Sequence, residues 1–294
     1  MSSGNDWLAQ RFEDHRGHLR RVAYRMLGSL GEAEDAVQEA WLRLARSDAK
    51  QPDNLAGWLT TVVSRVCLDV LRSRRARREE SLEESAGGAA AAIGRSANPE
   101  EEAQLASSVG LALLVVLETL DPAERLAFVL HDMFDLSFDE IGAIVGRTPA
   151  AARQLASRAR RRVRGAPAVE PQRLAQQREV VDAFVAALRA ADFEGLVAVL
   201  DPDVVFRTDV PGRPGAPTEV RGARNWAKGA LAYAQAARFM QPALVNGAVG
   251  LVLAPRGRLL RVLAFDFDDD GRIRAAEVIS DATRLATLDL AVLA

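Results

Sequence analysis

One cysteine, Cys67, stands in a chain of 294 residues, so no disulfide can close within it, and a reducing cytoplasm is the compartment it fits. Histidine is nearly as scarce. His15, His18 and His131 all precede residue 174, and beside a single cysteine they make no ligand set for zinc. Charge or glycine interrupts every apolar stretch well before about 18 residues, and no basic, apolar leader opens the chain. The reading therefore expects neither a membrane span nor an export signal. A glycine-rich phosphate loop and a Ser-His-Asp arrangement are missing too, and with them two common signatures of nucleotide and acyl chemistry.

What is present is ordinary in amount and uneven in placement. Apolar residues make up 49% and charged residues 27%, enough to bury real cores, and the length predicts two compact units, or three if some are small helical modules. The net charge of −2 conceals two arginine clusters. One is Arg72, Arg74, Arg75, Arg77 and Arg78; the other is Arg158, Arg160, Arg161, Arg162 and Arg164. Between them, residues 79–103 hold seven carboxylates and one arginine. Clusters of this kind are what phosphate backbones attract, whatever the overall pI.

Apolar positions at three- and four-residue steps (Leu8, Phe12, Leu19, Val22, Met26) predict a helix from Asp6 to Leu27, ended by Gly28 and Ser29. Ser29 and Glu32 have capping-box spacing before a second helix to about Arg46, with Val37, Trp41 and Leu44 on one face and Asp35, Glu39 and Leu42 on others. A third starts near Asp53 and Asn54 and runs through Trp58, Thr61 and Arg65 into the first arginine cluster. Glycine, alanine and like charge then predict a linker over 79–103. Helical periodicity resumes at Leu111, and Asp121-Pro122 opens another helix. Ser137-Phe138-Asp139-Glu140 is a second capping box before a short helix ending at Gly146, and Thr148-Pro149 starts a longer basic helix to about Arg164. Short helix, glycine turn and basic helix predict a helix-turn-helix. On its second helix Ala152, Leu155, Ala159 and Val163 face inward, leaving Arg153, Gln154, Ser157, Arg158 and Arg161 outside. Beyond the prolines at 167 and 171, helices give way to alternating segments, which predict an α+β domain with helices against one curved antiparallel sheet.

Residues 5–165 resemble the extracytoplasmic-function sigma factors of bacterial RNA polymerase. The carriers are Glu34 through Leu42, Gly57-Trp58-Leu59 through Leu68-Asp69 into Arg72, and Leu120 through Arg125 leading to the helix-turn-helix. Residues 174–294 resemble a SnoaL-like domain of the NTF2-like superfamily, which is fused to some factors of this class. The resemblance implies region 2 at 5–78, an acidic linker at 79–103, region 4 at 104–165, a second linker at 166–173 and a regulatory domain at 174–294. It implies that Asp35, Gln38, Glu39 and Leu42 dock on core RNA polymerase. Trp58, Thr61, Arg65, Arg72, Arg74 and Arg75 would serve the minus-ten element of promoter DNA by stacking and phosphate contact. Arg153, Gln154, Ser157, Arg158 and Arg161 would serve the minus-thirty-five element in the major groove. The tail would take a small-molecule or protein ligand. No cofactor, metal or membrane is implied.

Two further patterns have chemical readings. Asp266 through Glu277 fits the calcium-loop spacing, but alternation on both sides and the Asp-Gly pair predict a β-hairpin. Asp209, Asp266 and Glu277 are carboxylates that could move a proton in an enzyme of the tail's fold. The leading expectation is nonetheless a sigma factor that binds and does no covalent chemistry. Its rivals are a ligand-responsive helix-turn-helix regulator and a bifunctional protein with an enzymatic tail.

Overall fold

The structure is a computed structural model that describes residues 2–46, 54–81, 110–209, 218–255 and 259–293. Most of the predicted acidic linker at 79–103 lies outside the described residues. The chain divides into two compact units, residues 1–87 with 120–161 and residues 88–119 with 162–294.

Three helices, α1 (Ser2–Leu27), α2 (Leu30–Arg46) and α3 (Leu55–Ser81), pack against one another at the start of the first unit. Their apolar stripes supply the core: Leu19, Val22 and Met26 from α1, Val37 and Leu44 from α2, Leu59, Val63 and Cys67 from α3, all buried. Asn54 caps α3, its side-chain oxygen accepting from Gly57 N at 2.9 Å. Inside the bundle, Thr60 donates to Ala56 O and lies 3.4 Å from His18 Nε2; burial holds the His18 pKa below its usual value.

After α4 (Leu111–Thr119), the first unit resumes with α5 (Pro122–Phe128), whose continuation Val129–Met133 widens into a π turn, then α6 (Phe138–Val145) and α7 (Pro149–Arg164). Local chemistry sets each boundary. Asp121 accepts from Ala123 N ahead of Pro122. Ser137 and Glu140 form both halves of their capping box, and Thr148 accepts from Ala151 N. Gly146 closes α6 in the left-handed region at φ 71°, where a β-carbon would be strained. A β-carbon on Gly142 would sit 2.7 Å from Arg147 O, so the turn closes this tightly only over glycine. On α7, Ala152, Leu155, Ala159 and Val163 are buried, as the periodicity predicts.

Helix α4 groups with the second unit, against strands β3 (Met240–Val245) and β7 (Leu290–Ala291). The sequence reading places it in the helical unit 104–165. Leu-Ala-Leu-Leu-Val-Val-Leu is apolar all round, and such a helix seeks burial on several sides rather than along one stripe.

The second unit adds α8 (Pro171–Arg189), α9 (Phe193–Ala198), β1 (Leu200–Thr208), β2 (Glu219–Arg221), α10 (Ala223–Ala230), β4 (Ala248–Leu253), β5 (Arg261–Phe267), β6 (Ile273–Ile279) and α11 (Ala282–Thr287). The sheet order is β2-β1-β6-β5-β4-β3-β7. Every described pairing is antiparallel except that of β1 with β6, which is parallel, so the predicted antiparallel sheet is mixed at one junction. The chain leaves β1 through β2 and α10 and meanders back through β3, β4 and β5, so that β6 arrives beside β1 in the same direction. Helices α8, α9 and α10 pack on β1, β3 and β4, over a core that includes Phe184, Phe206, Leu251, Leu263 and Phe265. The Asp266–Glu277 segment is the predicted hairpin, with β5 paired to β6 and Asp268 N donating to Arg272 O at 2.9 Å.

Candidate polymerase and nucleic-acid interface

Burial of Ala33, Ala36, Val37, Ala40 and Leu44 turns the remaining face of α2 outward. That face brings Asp35, Gln38 and Leu42 together at steps of three and four, all exposed. Leu42 is one of three large apolar side chains exposed among the described residues. Glu39 beside them is half-buried and ion-pairs with Arg43 at 2.9 Å, one turn on. Carboxylates around an exposed leucine form a surface suited to a partner with basic groups flanking an apolar pocket.

On α3, Trp58, Thr61 and Arg65 repeat at the same steps, the first two half-buried and Arg65 exposed. Its guanidinium donates to Ala143 O on α6 at 2.9 Å. The arginines that follow divide by direction. Arg72 is exposed, 3.9 Å from Asp69. Arg75 pairs with Asp121, the cap of α5. Arg74 turns inward, donating to Leu27 O at the end of α1 and pairing with Glu32 in the first turn of α2. Its position in the cluster pointed to DNA, whereas its contacts make it a bracket between three helices.

Arg153, Gln154, Ser157, Arg158 and Arg161 are all exposed on α7. Arg153 lies over the Phe138 ring, 5.2 Å from its centre, and Arg158 pairs with the buried Glu124 at 3.0 Å. Sequence reasoning missed Glu124 and its neighbour Arg125, which are 6% and 2% exposed. Arg125 donates to Arg25 O, tying α5 to α1. No local signal distinguishes these two from surface charges.

Residues 11–77 match Sigma-70 region 2 and residues 110–163 match Sigma-70 region 4. A probable ECF RNA polymerase sigma factor of Mycobacterium tuberculosis, SigI, is 41% identical over 210 residues, spanning 70% of this chain and 71% of SigI. SigJ, an ECF RNA polymerase sigma factor of the same organism, is 44% identical over 217 residues, 73% of this chain and 68% of its own length. The chain belongs to the ECF sigma factors. A crystal structure of M. tuberculosis SigJ aligns over 94% of this ECF sigma factor and 97% of its own chain, at 33% identity and TM-score 0.45.

The tail of this sigma factor uses its candidate proton-transfer carboxylates in structural pairs. Asp209 accepts from Ser280 N at 2.8 Å, Asp281 N at 3.1 Å and Arg284 Nη1 at 3.4 Å. Glu277 holds the other end of the Arg284 guanidinium at 2.8 Å, and the Arg284 pKa is raised, chiefly by that bond. Asp266 pairs with Arg274 at 2.5 Å. Among the described residues no helix is long and apolar enough to cross a membrane.

Proposed function

We propose that this sigma factor docks on core RNA polymerase through Asp35, Gln38, Glu39 and Leu42, and that Trp58, Thr61, Arg65, Arg72 and Arg75 engage the minus-ten element. Arg153, Gln154, Ser157, Arg158 and Arg161 engage the minus-thirty-five element, with Arg153 and Gln154, nearest the start of α7, reading base edges and the later residues holding phosphate. The observation that carries this reading is the separation of functions on α2 and α7: each buries an apolar stripe and leaves outside the side-chain chemistry its partner needs. In this account Arg65 and Arg75 exchange internal acceptors for DNA when the factor is loaded, and Arg74 stays in place as scaffold.

The tail binds and regulates; it does not catalyse. In support, the three carboxylates best placed by sequence for acid-base work are engaged by arginines or by main-chain amides. The site of action is the cytoplasm, where core polymerase is found.

Co-elution of the full chain with core RNA polymerase, followed by run-off transcription from a promoter selected in vitro with the reconstituted holoenzyme, tests the reading. Co-elution and promoter-dependent transcript are expected. Duplex DNA binding without polymerase and without transcript would overturn it in favour of a self-standing helix-turn-helix regulator.

A further inference from the structure

The second unit holds a half-open cavity of about 450 Å³, within the range that holds a drug-sized organic molecule. Its wall is apolar and aromatic, with Phe206 and Trp226 stacked on each other, ring centres 3.8 Å apart and planes 14° from parallel. Phe206 is buried and Trp226 half-buried, and the packed pair forms a surface that needs no rearrangement to receive an apolar body.

The charged lining is of one sign. Arg207, Lys228 and Arg261 line the cavity, and no carboxylate or histidine does among the described residues. Arg207 is paired with Glu219, its cross-strand partner on β2, at 2.9 Å. Lys228 and Arg261 have no carboxylate partner among the described residues; Arg261 instead lies over the ring of the exposed Tyr233, 6.0 Å from its centre. A neutral apolar ligand would leave the exposed Lys228 and the half-buried Arg261 without a counter-charge. A cationic ligand would meet repulsion. A polyphosphate or sugar would leave its polar surface against Phe206, Trp226, Leu253 and Leu263. The complement of an apolar chamber with two cations that have no carboxylate partner among the described residues is an apolar body ending in one anionic group.

We propose that this cavity binds an apolar monocarboxylate, its hydrocarbon part against Phe206 and Trp226 and its carboxylate between Lys228 and Arg261. The proposal deepens, and rests on, the reading of the tail as a ligand-binding regulatory domain. No carboxylate or histidine lines the chamber among the described residues, and in this proposal the ligand is held and released unchanged.

The test is calorimetric titration of the full chain, without polymerase, using decanoate and its neutral counterpart decanol. Saturable binding of decanoate at one site per chain is expected, with decanol weaker by about tenfold or more, the worth of a charge-assisted hydrogen bond. Lys228→Gln and Arg261→Gln should each weaken decanoate about tenfold and leave decanol unchanged. Gly229 lines the cavity and a β-carbon there meets nothing within 4 Å, so Gly229→Leu should narrow the chamber and weaken binding with little change in melting temperature. Equal affinity for decanol and decanoate would overturn the proposal, as would no binding of either, or decanoate binding undiminished by Gly229→Leu in a folded protein. Should Gly229→Leu fail to fold, the two charge variants still decide the matter. Polymerase co-elution is a separate measurement, so failure of the titration leaves the sigma function standing and failure of co-elution leaves the cavity's chemistry standing.

Discussion

Arg65 of α3 reaches across to α6 and donates to the main-chain carbonyl of Ala143 at 2.9 Å, so a side chain expected to face promoter DNA is tied to the helix-turn-helix within one unit. Arg75 repeats the pattern with Asp121. Both arginines are exposed, and each contact is worth on the order of 1 kcal/mol or less. Arg65→Ala should therefore lower unfolding stability by no more than about 1 kcal/mol, while open-complex formation, read by permanganate footprinting of the minus-ten element, falls severalfold. Unchanged footprinting would leave Arg65 as an internal bracket alone.

The α2 surface separates docking from folding. Asp35 and Leu42 are exposed and lie outside the buried core, so Asp35→Arg and Leu42→Asp should each reduce affinity for core polymerase by tenfold or more, the range of an interface anchor. Melting temperature should hold within about 2 °C. Fluorescence anisotropy with labelled factor measures the first and scanning calorimetry the second. A large drop in melting temperature would assign these residues to the fold instead.

On α7 the predicted roles differ in kind and so do the expected losses. Gln154→Ala should relax preference at one position of the minus-thirty-five element at a cost of about 1–3 kcal/mol. Arg161→Ala should weaken all sequences alike and reduce the salt dependence of binding by about one unit of slope. Binding of holoenzyme to promoters varied in that element, across a series of salt concentrations, distinguishes the two.

The helix-turn-helix depends on Ser137, Glu140 and Gly142. Ser137→Ala should cost about 1 kcal/mol. Gly142→Ala should cost about 1–3 kcal/mol, because its β-carbon is forced to within 2.7 Å of Arg147 O. Bonds from the Ser137 hydroxyl and amide hold the Glu140 carboxyl below its usual pKa. Its contribution is therefore present above the unfolded-chain value and lost as pH falls through the folded one. Urea unfolding at neutral pH and near pH 3 should show the Ser137→Ala deficit shrinking in acid; a deficit independent of pH would remove Glu140 from the cap's energetics.

Burial pushes the Cys67 thiol up to about 12. Above the unfolded-chain value of about 8.5 only the unfolded chain gives up this proton, so stability should decline between that pH and about 12, with no contribution from Cys67 below it. A thiol reagent at pH 8 should label Cys67 in urea and leave the native protein unmodified. Rapid native labelling would contradict the packing of α3.

Helix ends were legible because their signals are local. Asp121-Pro122, Ser137 with Glu140, and Thr148-Pro149 each satisfy main-chain groups within four residues, and chain order alone fixes such contacts. The outward placement of Asp35, Gln38, Leu42, Arg153 and Gln154 follows equally from a period of 3.6 against an apolar stripe. Long-range pairing has no such signature. Arg74 and Arg75 are near neighbours in one basic run, and only the approach of Leu27 and Glu32 to the first and of Asp121 to the second gives them different tasks. The parallel seam between β1 and β6, the burial of Glu124 and Arg125, and the gathering of Phe206, Trp226, Lys228 and Arg261 around one chamber likewise join positions far apart or indistinguishable in sequence. The sequence by itself determined the helices, the turn and the outward chemistry of α2 and α7, since each is a matter of neighbours along the chain. Tertiary structure decided which charges are spent inside and which are left for a partner, because a charge's work depends on what folding brings within reach of it.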